Sequence, residues 1–132
     1  IAMASLAAEP EEILLVVPSD HLIENQAAYE KSVKEAVELA KKDKLVTFGI
    51  KPHYAETGYG YIEASGFEVR SFKEKPSKEV AREYLQAGNY YWNSGMFCFK
   101  AKTFLQELEA FAPDILEHSK IAFQNARKEG VV

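Results

Sequence analysis

Apolar and polar positions alternate along this chain in two periods, and the periods lay out its elements. Ile1 to Ala8 has the small, apolar composition of a helix, with no capping residue ahead of it, as though the chain opens inside a longer helix. Glu9-Pro10-Glu11 is a turn. Ile13 to Val17 is an unbroken apolar run rich in β-branched residues, the pattern of a strand buried on both faces. Gln26 to Lys42 carries apolar residues at Tyr29, Val33, Ala36, Val37 and Ala40, a helical stripe, with lysines 41, 42 and 44 at the end that complements the helix dipole. Leu45 to Ile50 reads as a second buried strand.

Strand, helix and strand at this spacing predict a βαβ unit with parallel strands and a right-handed crossover. Tyr61 to Ala64 and Phe67 to Phe72 predict a hairpin around Ser65-Gly66. Phe67, Val69 and Ser71 share one face of its second strand, which suits a core. A helix then runs from a cap at Ser77 to a stop at Gly88. Asn89 to Gly95 reads as an aromatic loop and Met96 to Phe99 as a strand. Thr103 to Ala112 is helical. Pro113 opens a last helix that extends to about Arg127 and ends near Gly130. The expected architecture is α/β: a mainly parallel sheet flanked by helices, with a β-hairpin insertion, in a single domain spanning residues 1–132.

Composition narrows the function classes. The 132 residues are 47% hydrophobic and 27% charged, which suits a folded chain. A net charge of −4 argues against a general nucleic-acid or membrane-surface binder, since both need a basic patch. Cys98 is the one cysteine and sits in an apolar run, as a small core residue would. No apolar stretch approaches the roughly 20 residues of a membrane span, so a cytoplasmic setting is expected.

Candidate chemistry gathers at the ends of strands. Lys73-Glu74-Lys75-Pro76 closes the strand that begins at Phe67, and Pro76 biases Lys75 toward an extended backbone. A lysine at that edge suits a phosphate, and a carboxylate suits sugar hydroxyls, because it only accepts hydrogen bonds. A solvated strand end is the other reading. Asp20 follows the first strand and could hold Mg²⁺ or act as a turn or cap residue. Gly58-Tyr59-Gly60 allows a ligand close to the backbone or forms a flexible turn. Asn93-Ser94-Gly95 offers an amide that can donate and accept, or an aromatic-packed turn. His21, His53 and His118 have no zinc spacing, and His118 suits a helix surface. The chain has neither a P-loop nor a Gly-x-Gly-x-x-Gly.

Four segments, in this order and spacing, resemble the sugar-phosphate nucleotidyltransferases. They are Val17-Pro18-Ser19-Asp20-His21, Glu56-Thr57-Gly58-Tyr59-Gly60-Tyr61-Ile62, Phe72-Lys73-Glu74-Lys75-Pro76 and Trp92-Asn93-Ser94-Gly95-Met96-Phe97. The likeness is nearest to the bacterial mannose-1-phosphate guanylyltransferase family. It implies a Rossmann-like nucleotidyltransferase fold, here incomplete, and the reaction of GTP with mannose 1-phosphate to GDP-mannose and pyrophosphate. By position it implies that Asp20 holds catalytic Mg²⁺, that Lys75 holds the sugar phosphate and that Glu74 binds sugar hydroxyls. It also implies sugar contacts at Tyr59 and Gly60 and in the loop of Asn93 and Gly95.

The family's glycine-rich triphosphate signature and base-reading segment have no counterpart in these residues, and a second metal aspartate would fall beyond Val132. Ala55 stands where relatives carry proline. The expectation is therefore the sugar-phosphate side of the enzyme, inactive in isolation. The alternatives are a non-catalytic sugar-phosphate-binding module and a structural fragment that pairs as a homodimer through an open sheet edge.

Overall fold

The computed structural model describes residues 1–126. The elements follow in the order α1 (Ala2–Ala7), β1 (Ile13–Val16), α2 (Gln26–Ala40), β2 (Val46–Ile50), β3 (Tyr61–Ser65), β4 (Glu68–Lys73), α3 (Lys78–Ala87), β5 (Tyr90–Lys100), α4 (Ala101–Phe111) and α5 (Pro113–Asn125). The expected helix end near Gly130 lies outside the described residues. Two compact units divide the chain: Ile1–Val46 with the described part of Phe97–Val132, and Thr47–Met96.

In the first unit β1 pairs antiparallel with the end of β5, Ile13 opposite Lys100 and Val16 opposite Phe97. Helices α1, α4 and α5 pack on one another and bury Ser5, Ala101, Thr103 and Leu116. Pro113 occupies the first turn of α5, where its missing N–H leaves no gap. Asn25 caps α2 by accepting the Ala28 N–H at 3.0 Å. The helix ends at Ala40, before the expected Lys42, and Asp43 turns the chain with φ 58°. The Lys100 side chain is only 12% exposed, and its ammonium meets Asp43 at 2.9 Å and Glu11 at 3.2 Å; Lys102 also pairs with Glu11. Hydrogen bonding from Lys102, then Lys100, holds the Glu11 carboxyl below its usual range, and Lys100 does the same for Asp43. This clamp ties the turns before β1 and after α2 to the end of β5. Cys98 is fully buried, as expected of a core residue, and burial pushes its thiol up.

In the second unit β3 pairs antiparallel with both β4 and the start of β5. Gly66 takes φ 60° in the two-residue turn between β3 and β4, which a type II′ hairpin asks of its first central position. Helix α3 begins at Ser77, whose hydroxyl accepts the Val80 N–H at 3.4 Å, and stops at Gly88 in the left-handed region, as the sequence predicts. Tyr61, Ala81 and Trp92 form the core, with Ala55, Tyr84 and Tyr90 against them. Tyr84 stacks on Tyr90 at 4.0 Å.

Several expectations need correction. The described pairings of β1, β3 and β4 are antiparallel, not parallel. Strands β1 and β2 each pair with β5. Apolar runs report that a strand is buried but not which neighbour it takes, and the 11-residue β5 is long enough to take different partners at its two ends. β1 is not covered on both faces, since Leu15 and Val17 are exposed. Phe67 and Val69 do not reach a core either: Phe67 is 76% exposed, because β4 pairs only with β3 among the described residues. The aromatic stretch from Tyr90 to Gly95 is strand, not loop. Trp92, Ser94, Met96 and Cys98 are buried in strict alternation, a period of two that the turn-like Asn93-Ser94-Gly95 hides.

At Gly49, β2 runs close against the Tyr91 side chain of β5. A Cβ there would lie 2.7 Å from the Tyr91 Cβ and 3.1 Å from its Cγ. These atoms are at the root of the side chain and cannot swing away. Gly49→Ala is expected to destabilise the chain by about 1–3 kcal/mol, the usual cost of overpacking, read from the denaturant midpoint. An unchanged midpoint would show that the strands separate there freely.

Candidate functional site

The hairpin register delivers the site in the second unit. From the turn, Ser65 faces Glu68 and Ala64 faces Val69, and then the pairing shifts so that Glu63 faces Ser71 and Tyr61 faces Lys73. Arg70 is the extra residue of a β-bulge. A one-residue shift exchanges the two faces of a strand. Continued past Tyr61 and Lys73, the shifted register sets Gly60 across from Glu74. The Glu63 carboxylate fastens the bulge: it accepts the Ser71 hydroxyl at 2.9 Å and the Asn89 amide at 3.3 Å.

Gly60 is buried, and its lack of a side chain is structural. A Cβ would meet Phe72 Cζ at 2.8 Å, Phe72 Cε1 at 3.3 Å and Glu74 Oε2 at 3.1 Å. The Glu74 carboxylate therefore hangs over a bare Cα. On the other side of the strand pair, the Asn93 N–H donates to the Gly60 carbonyl at 2.8 Å. The Asn93 Oδ1 accepts the Gly95 N–H at 3.3 Å, with Gly95 at φ 73°. The Thr47 hydroxyl lies 3.3 Å from that same Oδ1 and 3.4 Å from the Met96 carbonyl. With Oδ1 engaged, the Asn93 amide group left for other contacts is the donor.

Lys75 corrects the expectation of an extended backbone. It takes φ 38°, a left-handed conformation that costs a residue with a Cβ about 1–2 kcal/mol. Lys75 forms the bend between β4 and α3. Its ammonium is not buried: the side chain is 65% exposed, and Nζ lies 3.6 Å from Glu74 Oε1. At that exposure the ion pair adds little to stability. The corner thus presents an acceptor-only carboxylate beside a donor-only cation.

Tyr59 is exposed and lies edge-on to Trp92 at 5.4 Å, in a cluster with His53 and Tyr54. The loop before Gly60 is pinned rather than free. Glu56 Oε1 accepts the Thr57 and Gly58 N–H groups, each at 2.8 Å, and the Glu56 carbonyl accepts the Tyr61 hydroxyl at 2.8 Å. The Gly58 amide, then the Tyr54 hydroxyl and the Thr57 amide, hold the Glu56 carboxyl below its usual range. The same carboxylate pushes the Tyr54 hydroxyl up.

Asp20 belongs to the first unit, on an exposed turn after β1. It does not cap α2, because Asn25 does. Among the described residues it makes no hydrogen bond or ion pair, and no three His, Cys, Asp or Glu side chains are gathered to hold a metal. His21 and His118 are exposed, the latter on α5 as expected. The second unit therefore brings together Glu74, Lys75, Gly60, Asn93, Gly95 and Tyr59. Sequence reasoning passed over the supporting roles of Glu56, Thr47 and Phe72. A glutamate two residues before a glycine was the available signal for the first; Thr47 and Phe72 gave none.

Fold and corner together define an α/β domain with a carboxylate–ammonium pair over a bare glycine. The chain belongs to the nucleotidyl transferase family, whose profile matches residues 1–131. It is 47% identical to the mannose-1-phosphate guanylyltransferase ManC of Salmonella typhimurium over 88% of its length, and 45% identical to the xanthan biosynthesis protein XanB of Xanthomonas campestris over 98%. It spans only 27% and 29% of those two proteins. A crystal structure described as mannose-6-phosphate isomerase from Helicobacter pylori superposes with a TM-score of 0.91 at 45% identity, over 96% of this chain and 50% of that one.

Strain at Lys75 gives a direct test of its conformation. Lys75→Gly is expected to leave stability unchanged or raise it by up to about 1 kcal/mol, because relief of the left-handed backbone outweighs glycine's extra unfolded-state entropy. A loss greater than about 1 kcal/mol by chemical denaturation would contradict that backbone.

Proposed function

We propose that the chain supplies the sugar-1-phosphate side of a mannose-1-phosphate guanylyltransferase, which converts GTP and mannose 1-phosphate to GDP-mannose and pyrophosphate. The observation that supports this most is the Glu74 carboxylate over Gly60 with the Lys75 ammonium beside it. In such a reaction a sugar-phosphate oxygen bonds to the α-phosphorus of GTP, and the bond to the departing pyrophosphate breaks. Catalysis of this type is alignment and charge neutralisation, and no covalent intermediate is needed.

Lys75 offsets the charge of the attacking phosphate and orients its oxygen. Glu74 accepts from sugar hydroxyls, the Asn93 amide donates to a sugar oxygen, and Gly60 and Gly95 keep the backbone close to the ring. Tyr59 flanks it with an aromatic edge. Asp20 suits Mg²⁺ as one ligand, because its carboxylate is exposed and uncommitted among the described residues and Mg²⁺ takes few protein oxygens. When bound, the ion would draw charge from the phosphates. Among the described residues no helix is long and apolar enough to cross a membrane. A cytoplasmic setting goes with that, and with a lone buried thiol.

The sequence has no Gly-rich cradle for a triphosphate, so this chain alone is expected to bind mannose 1-phosphate without forming GDP-mannose. By calorimetry, Lys75→Ala is expected to weaken that binding about tenfold or more, the scale of one charge-assisted hydrogen bond. Binding equal to wild type would remove Lys75 from the site, and no binding by wild type would overturn the reading.

A further inference from the structure

We propose that Glu56 is a positioning residue for the sugar-binding edge, holding the Thr57–Tyr59 turn so that Gly60 and Tyr59 are set before a ligand arrives. The inference rests on the sugar-phosphate reading above and assigns that site a residue which need not touch the ligand. Four hydrogen bonds carry it. One carboxylate oxygen takes the N–H groups of both Thr57 and Gly58, so the turn is built on this side chain. The backbone carbonyl of the same residue takes the hydroxyl of Tyr61, the fully buried core tyrosine next to Gly60. Beyond the turn, the Gly60 carbonyl is fixed by the Asn93 N–H.

The segment is therefore pinned at both ends, at Glu56 and at Gly60, with Thr57, Gly58 and Tyr59 between. The missing Cβ at Gly58 lets the carboxylate close over the turn: a Cβ there would stand 3.3 Å from Glu56 Oε1. The two amides are satisfied internally, so they do not serve as anion donors in this conformation, and the ligand's charge is left to Lys75. Loss of the carboxylate would leave two donors seeking water and a turn free to sample other conformations. Binding would then have to order the turn, which lowers affinity without removing any ligand contact.

The test uses the whole chain with mannose 1-phosphate as probe, calorimetry for affinity and amide resonances for the loop. Glu56→Ala is expected to weaken binding about tenfold and to move the amide signals of Tyr59 and Gly60, with the rest of the spectrum native. Glu56→Gln keeps an oxygen that can accept both N–H groups and is expected to restore affinity to within about threefold of wild type. Wild-type affinity in Glu56→Ala would overturn the inference. So would a Glu56→Gln variant as weak as Glu56→Ala, since the charge rather than the turn would then be acting. Failure of wild type to bind would overturn the sugar-phosphate reading instead. The positioning role would in that case be decided by the amides alone: unmoved Tyr59 and Gly60 signals in Glu56→Ala would refute it, and shifted ones restored in Glu56→Gln would uphold it.

Discussion

The second unit depends on one steric fact: the space over the Gly60 Cα is already taken by Phe72 and the Glu74 carboxylate. No side chain fits at position 60 without moving one or the other. The reason lies in the hairpin. Antiparallel pairing places the start of β3 beside the end of β4, and the bulge at Arg70 settles which residue arrives there. Were Arg70 paired regularly with Glu63, Gly60 would face Lys73, and the carboxylate would fall on the other side of the sheet. Glu63, tied to Ser71 and Asn89, stabilises that irregularity from beneath.

Chemistry and strain then coincide in the next residue. Lys75 adopts a left-handed backbone that glycine would take more easily, and it stays exposed beside Glu74. Strained non-glycine residues tend to cluster at functional sites because the surrounding structure enforces them. Here β4 and the Ser77 cap of α3 leave the chain three residues, Glu74, Lys75 and Pro76, in which to turn. A lysine kept in that position contributes charge at a cost in backbone energy. The pinned turn at Glu56 belongs to the same design, since it spends a carboxylate on two amides of its own chain.

Much of this was legible in the letters. Gly60, Glu74 and Lys75 could be singled out because strand ends and glycine turns are marked by local chemistry. The Ser77 cap, the Gly88 stop and Pro113 at the start of α5 are also local rules, and they hold. Strand partnership is not local, which is why the expectation of a mainly parallel sheet failed against the antiparallel pairings of β1, β3 and β4. The period of two in β5 was masked by Asn93-Ser94-Gly95, residues that elsewhere make turns. Burial of Phe67 and Val69 could not be read either, because alternation reports which face a residue shares and not whether anything covers it. Phe72 and Thr47 act only through long-range contacts, with Gly60 and Asn93, that no local pattern announces.

The central claim is that the Gly60–Glu74–Lys75 corner receives a sugar phosphate. Titrating mannose 1-phosphate into the isotopically labelled chain and following every backbone amide tests it most directly. The expected result is a saturable set of shifts centred on Gly60, Glu74, Lys75 and Asn93. Shifts confined to other segments, or none at millimolar ligand, would contradict the account.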